Sequence, residues 1–165
     1  MKKILLIAAI SLTCFYAKAQ EELAFPFQGG KEVMSKFFKD SLVLSDQIVS
    51  HKTTGTAIFK FTADEKGSIK KIIIYYADDI TITPPIIEAL KKSDRKWIIP
   101  DHEKFHDFII PFSIRFTPPA TGSAALQKAV YTAYSKRKAV VSFDQVPLDM
   151  ATLLPAVSIS YDITP

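Results

Sequence analysis

The chain has 165 residues, 48% of them apolar and 23% charged, which excludes wholesale disorder, collagen and coiled coil and allows one domain with chain to spare. Formal net charge is +4, but Lys2, Lys3 and Lys18 fall in the first nineteen residues with no Asp or Glu beside them. From Gln20 onward 18 basic residues face 17 acidic ones, so a nucleic-acid or other polyanion partner loses its main support.

The N-terminus reads as an export signal. Met1-Lys2-Lys3 is basic, residues 4–16 carry no charge, and Ala17-Lys18-Ala19 is an A-x-A cleavage pattern. The apolar run is shorter than the roughly 20 residues that span a bilayer. Cleavage after Ala19 is therefore expected, giving a periplasmic or otherwise exported chain with no transmembrane helix left. Lipoprotein attachment at Cys14 is disfavoured by Thr13, where Gly, Ala or Ser would normally stand. Cys14 is the only cysteine, so the mature chain has no disulfide, no cysteine nucleophile and no Cys-containing metal site. There is no Asn, hence no glycosylation sequon.

In the mature chain, residues 20–30 read as an extended lead-in. From Lys31 a helical period places Val33, Met34, Phe37 and Phe38 on one face, predicting a helix of about ten residues that ends near Asp40. A polar connector, 45–52, contains His51, expected to be solvated. Residues 55–62 and 68–76 are rich in β-branched and aromatic types and predict a hairpin. The loop Ala63-Asp64-Glu65-Lys66-Gly67 fits a type I turn closing on a left-handed Gly67, which accounts for its two carboxylates without a catalytic role. Asp78-Asp79 is read as a solvated turn. Thr83-Pro84-Pro85 opens a second helix, with Ile86, Ile87, Ala89 and Leu90 on its apolar face. Residues 105–116 alternate: Phe108, Ile110, Phe112, Ile114 and Phe116 share one face, and Asp107, Ile109, Pro111, Ser113 and Arg115 the other. Pro111 cannot donate to a ladder, so this strand is expected at a sheet edge or with a local break. Helix, strand, strand, helix, strand predicts a two-layer α+β domain: three antiparallel strands in order 2-1-3 with both helices on one face.

The stretches F-P-F-Q-G-G-K-E-V-M-S-K-F-F (25–38), G-T-A-I-F-K-F-T-A-D-E-K-G-S-I-K-K-I (55–72), K-W-I-I-P (96–100) and I-I-P-F-S-I-R-F (109–116), with the helix at 86–90 between them, together resemble the C-terminal domain of the TonB family, especially its short Bacteroidota-type versions. The resemblance covers roughly residues 23–117, over half the chain, and places the domain at 20–117. It implies a non-enzymatic protein-interaction domain that reaches an outer-membrane transporter, or another envelope protein, and pairs with an extended segment of it by strand addition. The third strand is the expected site, and its residues Asp107, Ile109, Pro111, Ser113 and Arg115 are the expected partner-binding set. Energy coupling is not implied, because residues 20–30 are too short to cross a periplasm and the leader reads as cleavable.

Residues 118–165 read as an extension: a helix over 123–138 with a basic end at Lys136-Arg137-Lys138, then short strands at 139–143 and 157–163. The last needs a sheet to join: on the main sheet it would block one edge, and on the third strand it would close the expected binding site. Alternatively, the extension makes this a purely structural envelope domain. One sharp catalytic motif remains. His102-Glu103-Lys104-Phe105-His106 matches H-E-x-x-H, whose two histidines chelate zinc from one helix face while the Glu activates water. Here Pro100 and Pro111 bracket it, a strand follows, and no Glu or His comes after His106. In a strand the two histidines would lie about 13 Å apart. A zinc hydrolase is thus the alternative, and no metal ligand set is assigned. Neither a Gly-rich phosphate loop nor a nucleophile-elbow serine is present, and no cofactor is expected.

Overall fold

The computed structural model describes residues 25–117, 124–142, 147–148 and 150–162. The expected leader and its cleavage site lie outside the described residues. Helix α1 (Gly30–Ser41) buries Met34 and Phe38 and leaves its lysines outside, Lys36 pairing with Asp40 at 3.0 Å. The polar connector is not featureless: Asp46–Ser50 forms a short helix, α2, because Ile48 is fully buried and anchors a turn that begins on the Ser45 carbonyl.

Strands β1 (Gly55–Asp64) and β2 (Ile69–Ala77) form the expected hairpin. Asp64 closes it, accepting from the N–H groups of Lys66 and Ser68 at 2.9 Å each. Gly67 is required twice over: its φ is +72°, and a Cβ there would lie 2.3 Å from the Trp97 carbonyl oxygen. Register shifts between Ile58 and Phe59 and between Thr62 and Ala63 place Ile72 and Ile74 opposite Phe61 and Phe59. This explains why the lysine- and isoleucine-rich β2 sequence shows no simple alternation.

After a 3-10 turn (Ile80–Ile82), helix α3 (Thr83–Lys92) starts with Pro84 and Pro85 in its first turn and buries Ile86, Ala89 and Leu90. Strand β3 (Phe105–Thr117) then pairs antiparallel along the other side of β1, from Gly55↔Ile114 to Asp64↔Phe105. Phe108, Ile110, Phe112 and Ile114 are fully buried on the face that α1 and α3 cover. Trp97 lies in the middle of that core, 4.5 Å from the Phe61 ring, 5.1 Å from Phe27 and 5.4 Å from Phe108. Its indole N–H donates to Ser93 Oγ at 3.0 Å, and that hydroxyl donates to the Leu90 carbonyl at 2.6 Å, so the buried polar atoms are satisfied.

The architecture is α+β, and the three central strands run in the order β2-β1-β3. The sheet, however, has six strands rather than three, and it is mixed rather than antiparallel. The C-terminal extension supplies the others. Helix α4 (Ala124–Ser135) leads to β4 (Val140–Val141), which pairs antiparallel with β2 at Tyr76 and Ala77. Strands β5 (Thr152–Leu153) and β6 (Val157–Asp162) both pair parallel with β3. Between β4 on one edge and β5 on the other, Pro147 sits over the face of β1 that the helices leave open, its carbonyl 2.6 Å from Lys60 Nζ.

Candidate functional site

The outer edge of β3 is occupied by the chain's own C-terminal segment. Phe108 and Ile109 pair with Thr152 and Leu153, and residues 112–117 pair with 157–162. The Leu154 N–H donates to the Ile109 carbonyl at 2.8 Å, which turns the backbone polar groups of Ile109 toward this edge. Successive residues of a strand aim these groups to alternate sides, so Pro111 has its ring nitrogen on the same edge. It stands where the covering chain passes from β5 to β6, a place with no ladder bond to lose. The strand is therefore flanked on both sides, and the expected break at Pro111 falls in the gap between two short partners.

The covering strand also enters the core. Val157 and Ile159 are buried with Phe112 and Ile114, while Ser158 and Ser160 face solvent. The Tyr161 ring lies 6.4 Å from Phe116, and its hydroxyl donates to the Thr53 carbonyl at 3.0 Å. Burial pushes the Tyr161 phenol up to about 12.

Of the expected partner-binding residues, all five lie on the face away from α1 and α3, but their surroundings differ. Arg115 is exposed, its Nε donating to Ser113 Oγ at 3.0 Å. Ile109 is buried, and Pro111 and Ser113 are half-buried. Asp107 is bound to its neighbours: Thr62 Oγ1 donates to it at 2.6 Å, and Lys60 Nζ lies 2.7 Å from Oδ2. Burial pushes the Asp107 carboxyl up, but the hydrogen bonds from Lys60 and Thr62 and the Lys60 charge outweigh that, so it lies below the ordinary carboxylate value. Lys60 itself is only 5% exposed. Sequence reasoning missed it, although a lysine between Phe59 and Phe61 in a core strand was the available signal.

The H-E-x-x-H motif does not stand on a helix. His102 is exposed in a turn with φ of +71°, and His106 is already in β3. Only Glu103 and His106 converge. The carboxylate can only accept, so His106 Nδ1–H donates to Glu103 Oε2 at 2.7 Å, and the Thr152 hydroxyl lies 2.7 Å from Nε2. The buried ring thus ties β5 to the start of β3. Among the described residues no group of three or more His, Cys, Asp or Glu side chains is placed to hold a metal ion. His51 is exposed, its Nδ1 donating to the Gln47 carbonyl at 2.9 Å.

Asp78 and Asp79, read as a solvated turn, are instead structural. Asp78 accepts from the Thr56 N–H at 2.7 Å and from the Tyr76 hydroxyl, and Asp79 caps the 3-10 turn by accepting from the Thr81 N–H at 2.9 Å. No helix among the described residues is long and apolar enough to cross a membrane. No family model matches this chain, and neither a curated protein nor a solved structure shows significant similarity to it.

Proposed function

We propose that this is an exported, non-enzymatic interaction domain of the kind its sequence resembles, the TonB C-terminal domain, which holds an extended polypeptide on the outer edge of β3. Its partner is an extended segment of an envelope protein, such as an outer-membrane transporter. The observation that supports this reading is the occupancy of that edge. The edge takes up an extended segment in two pieces, β5 and β6, through backbone pairing, with Leu154, Val157 and Ile159 seated in the core beside it. Edge strands bind through unpaired N–H and C=O groups, so whichever segment is present satisfies the same donors and acceptors. Partner binding then means exchange, with the incoming segment replacing β6.

The test is to titrate extended transporter-derived peptides into the full mature chain and into a chain ending at Pro155, which keeps the buried Leu154. The shortened chain is expected to bind about tenfold more tightly, and Arg115→Glu to weaken binding in both without unfolding either. Binding by neither chain would support the second reading, a purely structural envelope domain that seals its own sheet edge, which the pairing of β5 and β6 also favours.

A further inference from the structure

A cleft of about 660 Å³ separates α4 from α2 and the 3-10 turn. One wall is the stripe Ala125, Ala129 and Ala133 of α4, whose spacing of four puts these methyl groups on one helix face. The opposite wall is polar: Gln47 and Ser50 of α2, then His51 and Thr53 beyond its end, with Ile80 and Thr81 of the 3-10 turn beside them. The wall formed by α4 is held in place at its C-terminal end. Arg137 donates to Thr54 Oγ1 at 2.7 Å, lies 3.9 Å from Asp78 and stacks 4.0 Å from the Tyr134 ring centroid, and the Ile80 N–H donates to the Lys138 carbonyl at 3.0 Å.

The charge at this cleft is one-sided. Lys52, Lys128, Lys136 and Lys138 line it, and among the described residues none of the four has a carboxylate partner. One carboxylate lines it as well: Asp79, which is 8% exposed and accepts from the Thr81 backbone and hydroxyl through Oδ1. Four cations against one committed carboxylate leave a net positive cleft, with the alanine stripe and Ile80 as its apolar side. The same imbalance is written in the sequence: between Asp107 and Asp144 there are five basic residues and no acidic one. Lys52 is held there with φ of +54°, a conformation a lysine seldom adopts.

From this cavity and its charge we infer that the cleft binds a small amphiphilic anion, an acyl carboxylate or an alkyl phosphate, with its apolar body against the alanine stripe and its charged head among the lysines. The volume lies within the range of small-molecule sites, which are mostly apolar with a few placed polar groups. The lysine stems add apolar surface while their ammonium groups stay at the mouth. No residue of β3 or β6 lines this site; its one link to that edge is Thr53, whose carbonyl accepts from the Tyr161 hydroxyl at 3.0 Å, so the titration is read on the full chain with β6 in place.

Calorimetric titration of the full mature chain with decanoate, decyl phosphate, decanol and inorganic phosphate tests it. The two amphiphilic anions are expected to bind one per chain, with decanol and inorganic phosphate each about tenfold weaker or worse. The Lys128→Glu/Lys136→Glu pair should weaken both anions about tenfold at an unchanged melting temperature. If that pair does not fold, Ala129→Trp, on an exposed position of the wall, should exclude them by bulk alone. Decanol binding as tightly as decanoate, phosphate binding as tightly as its decyl ester, an acidic peptide outcompeting both, or anion affinity unmoved by these substitutions would each overturn the inference.

Discussion

Lys60 lies in the middle of β1 with its ammonium group out of water, between Asp107 and the Pro147 carbonyl. The alternation of β1 sends this side chain away from the helices, and an outward lysine ordinarily reaches solvent. What made it a buried ion pair is a carbonyl 87 positions later in the chain, which no local pattern announces. Removing one member of such a pair strands the other's charge. Asp107→Ala is therefore expected to cost roughly 3 kcal/mol in denaturant unfolding. The double substitution Lys60→Met/Asp107→Leu, which removes both charges, should recover much of that loss. Because the Asp107 carboxyl lies below its ordinary value, its contribution is complete above the unfolded value of about 4 and is lost as pH falls through the folded one. The Asp107→Ala variant should accordingly show a shallower loss of stability on acidification. An equal acid slope in variant and parent would remove this pair from the account.

Among the elements, those whose period is local were legible and those whose partners are distant were not. The alternation of β3 names its buried face correctly, and the turn at Gly67 and the proline-led start of α3 follow from residue chemistry at those positions. The bulges of β2 were not readable, because a bulge is a property of two strands and not of one. Strand β6 was legible as a strand, yet its place on β3 and its parallel direction depend on where the intervening chain goes. Its energetics follow its alternation. Ile159→Ala should cost about 2–4 kcal/mol, while Ser158→Ala and Ser160→Ala, both exposed, should stay within about 0.5 kcal/mol. Tyr161 adds an alkaline signature. Its phenol titrates near 10 when unfolded and is pushed up to about 12 by burial in the fold. The native state therefore holds the proton longer, and its stabilising contribution is present below pH 10 and lost between about 10 and 12. Urea midpoints measured across that window should fall less steeply for Tyr161→Phe than for the parent.

At the scale of the whole molecule, β3 carries two different ladders on its two edges, and they need not open together. Its inner edge is bound to β1, in the centre of the sheet, and shares the fate of the core. Its outer edge is bound to the short strands β5 and β6. The Ile109 carbonyl accepts from Leu154, so the polar groups of Ile109 and, by alternation, of Ser113 and Arg115 belong to the outer ladder. Those of Phe108, Ile110, Phe112 and Ile114 belong to the inner one. If the C-terminal segment leaves as a unit while the three central strands persist, amide exchange should alternate along this single strand. The Ile109, Ser113 and Arg115 amides would exchange through local opening, and their even-numbered neighbours only through global unfolding. Such a pattern is what exchange of β6 for a partner segment requires, because the incoming strand needs the outer ladder free while the core stays folded. His106 sharpens the expectation, since it ties Thr152, and with it β5, to β3. His106→Phe cuts that tie and should speed exchange at the outer positions while leaving the alternation in place. Uniform protection along all of β3 in both proteins would show that the segment is a fixed part of the sheet, and strand addition at this edge would then have no open state to act through.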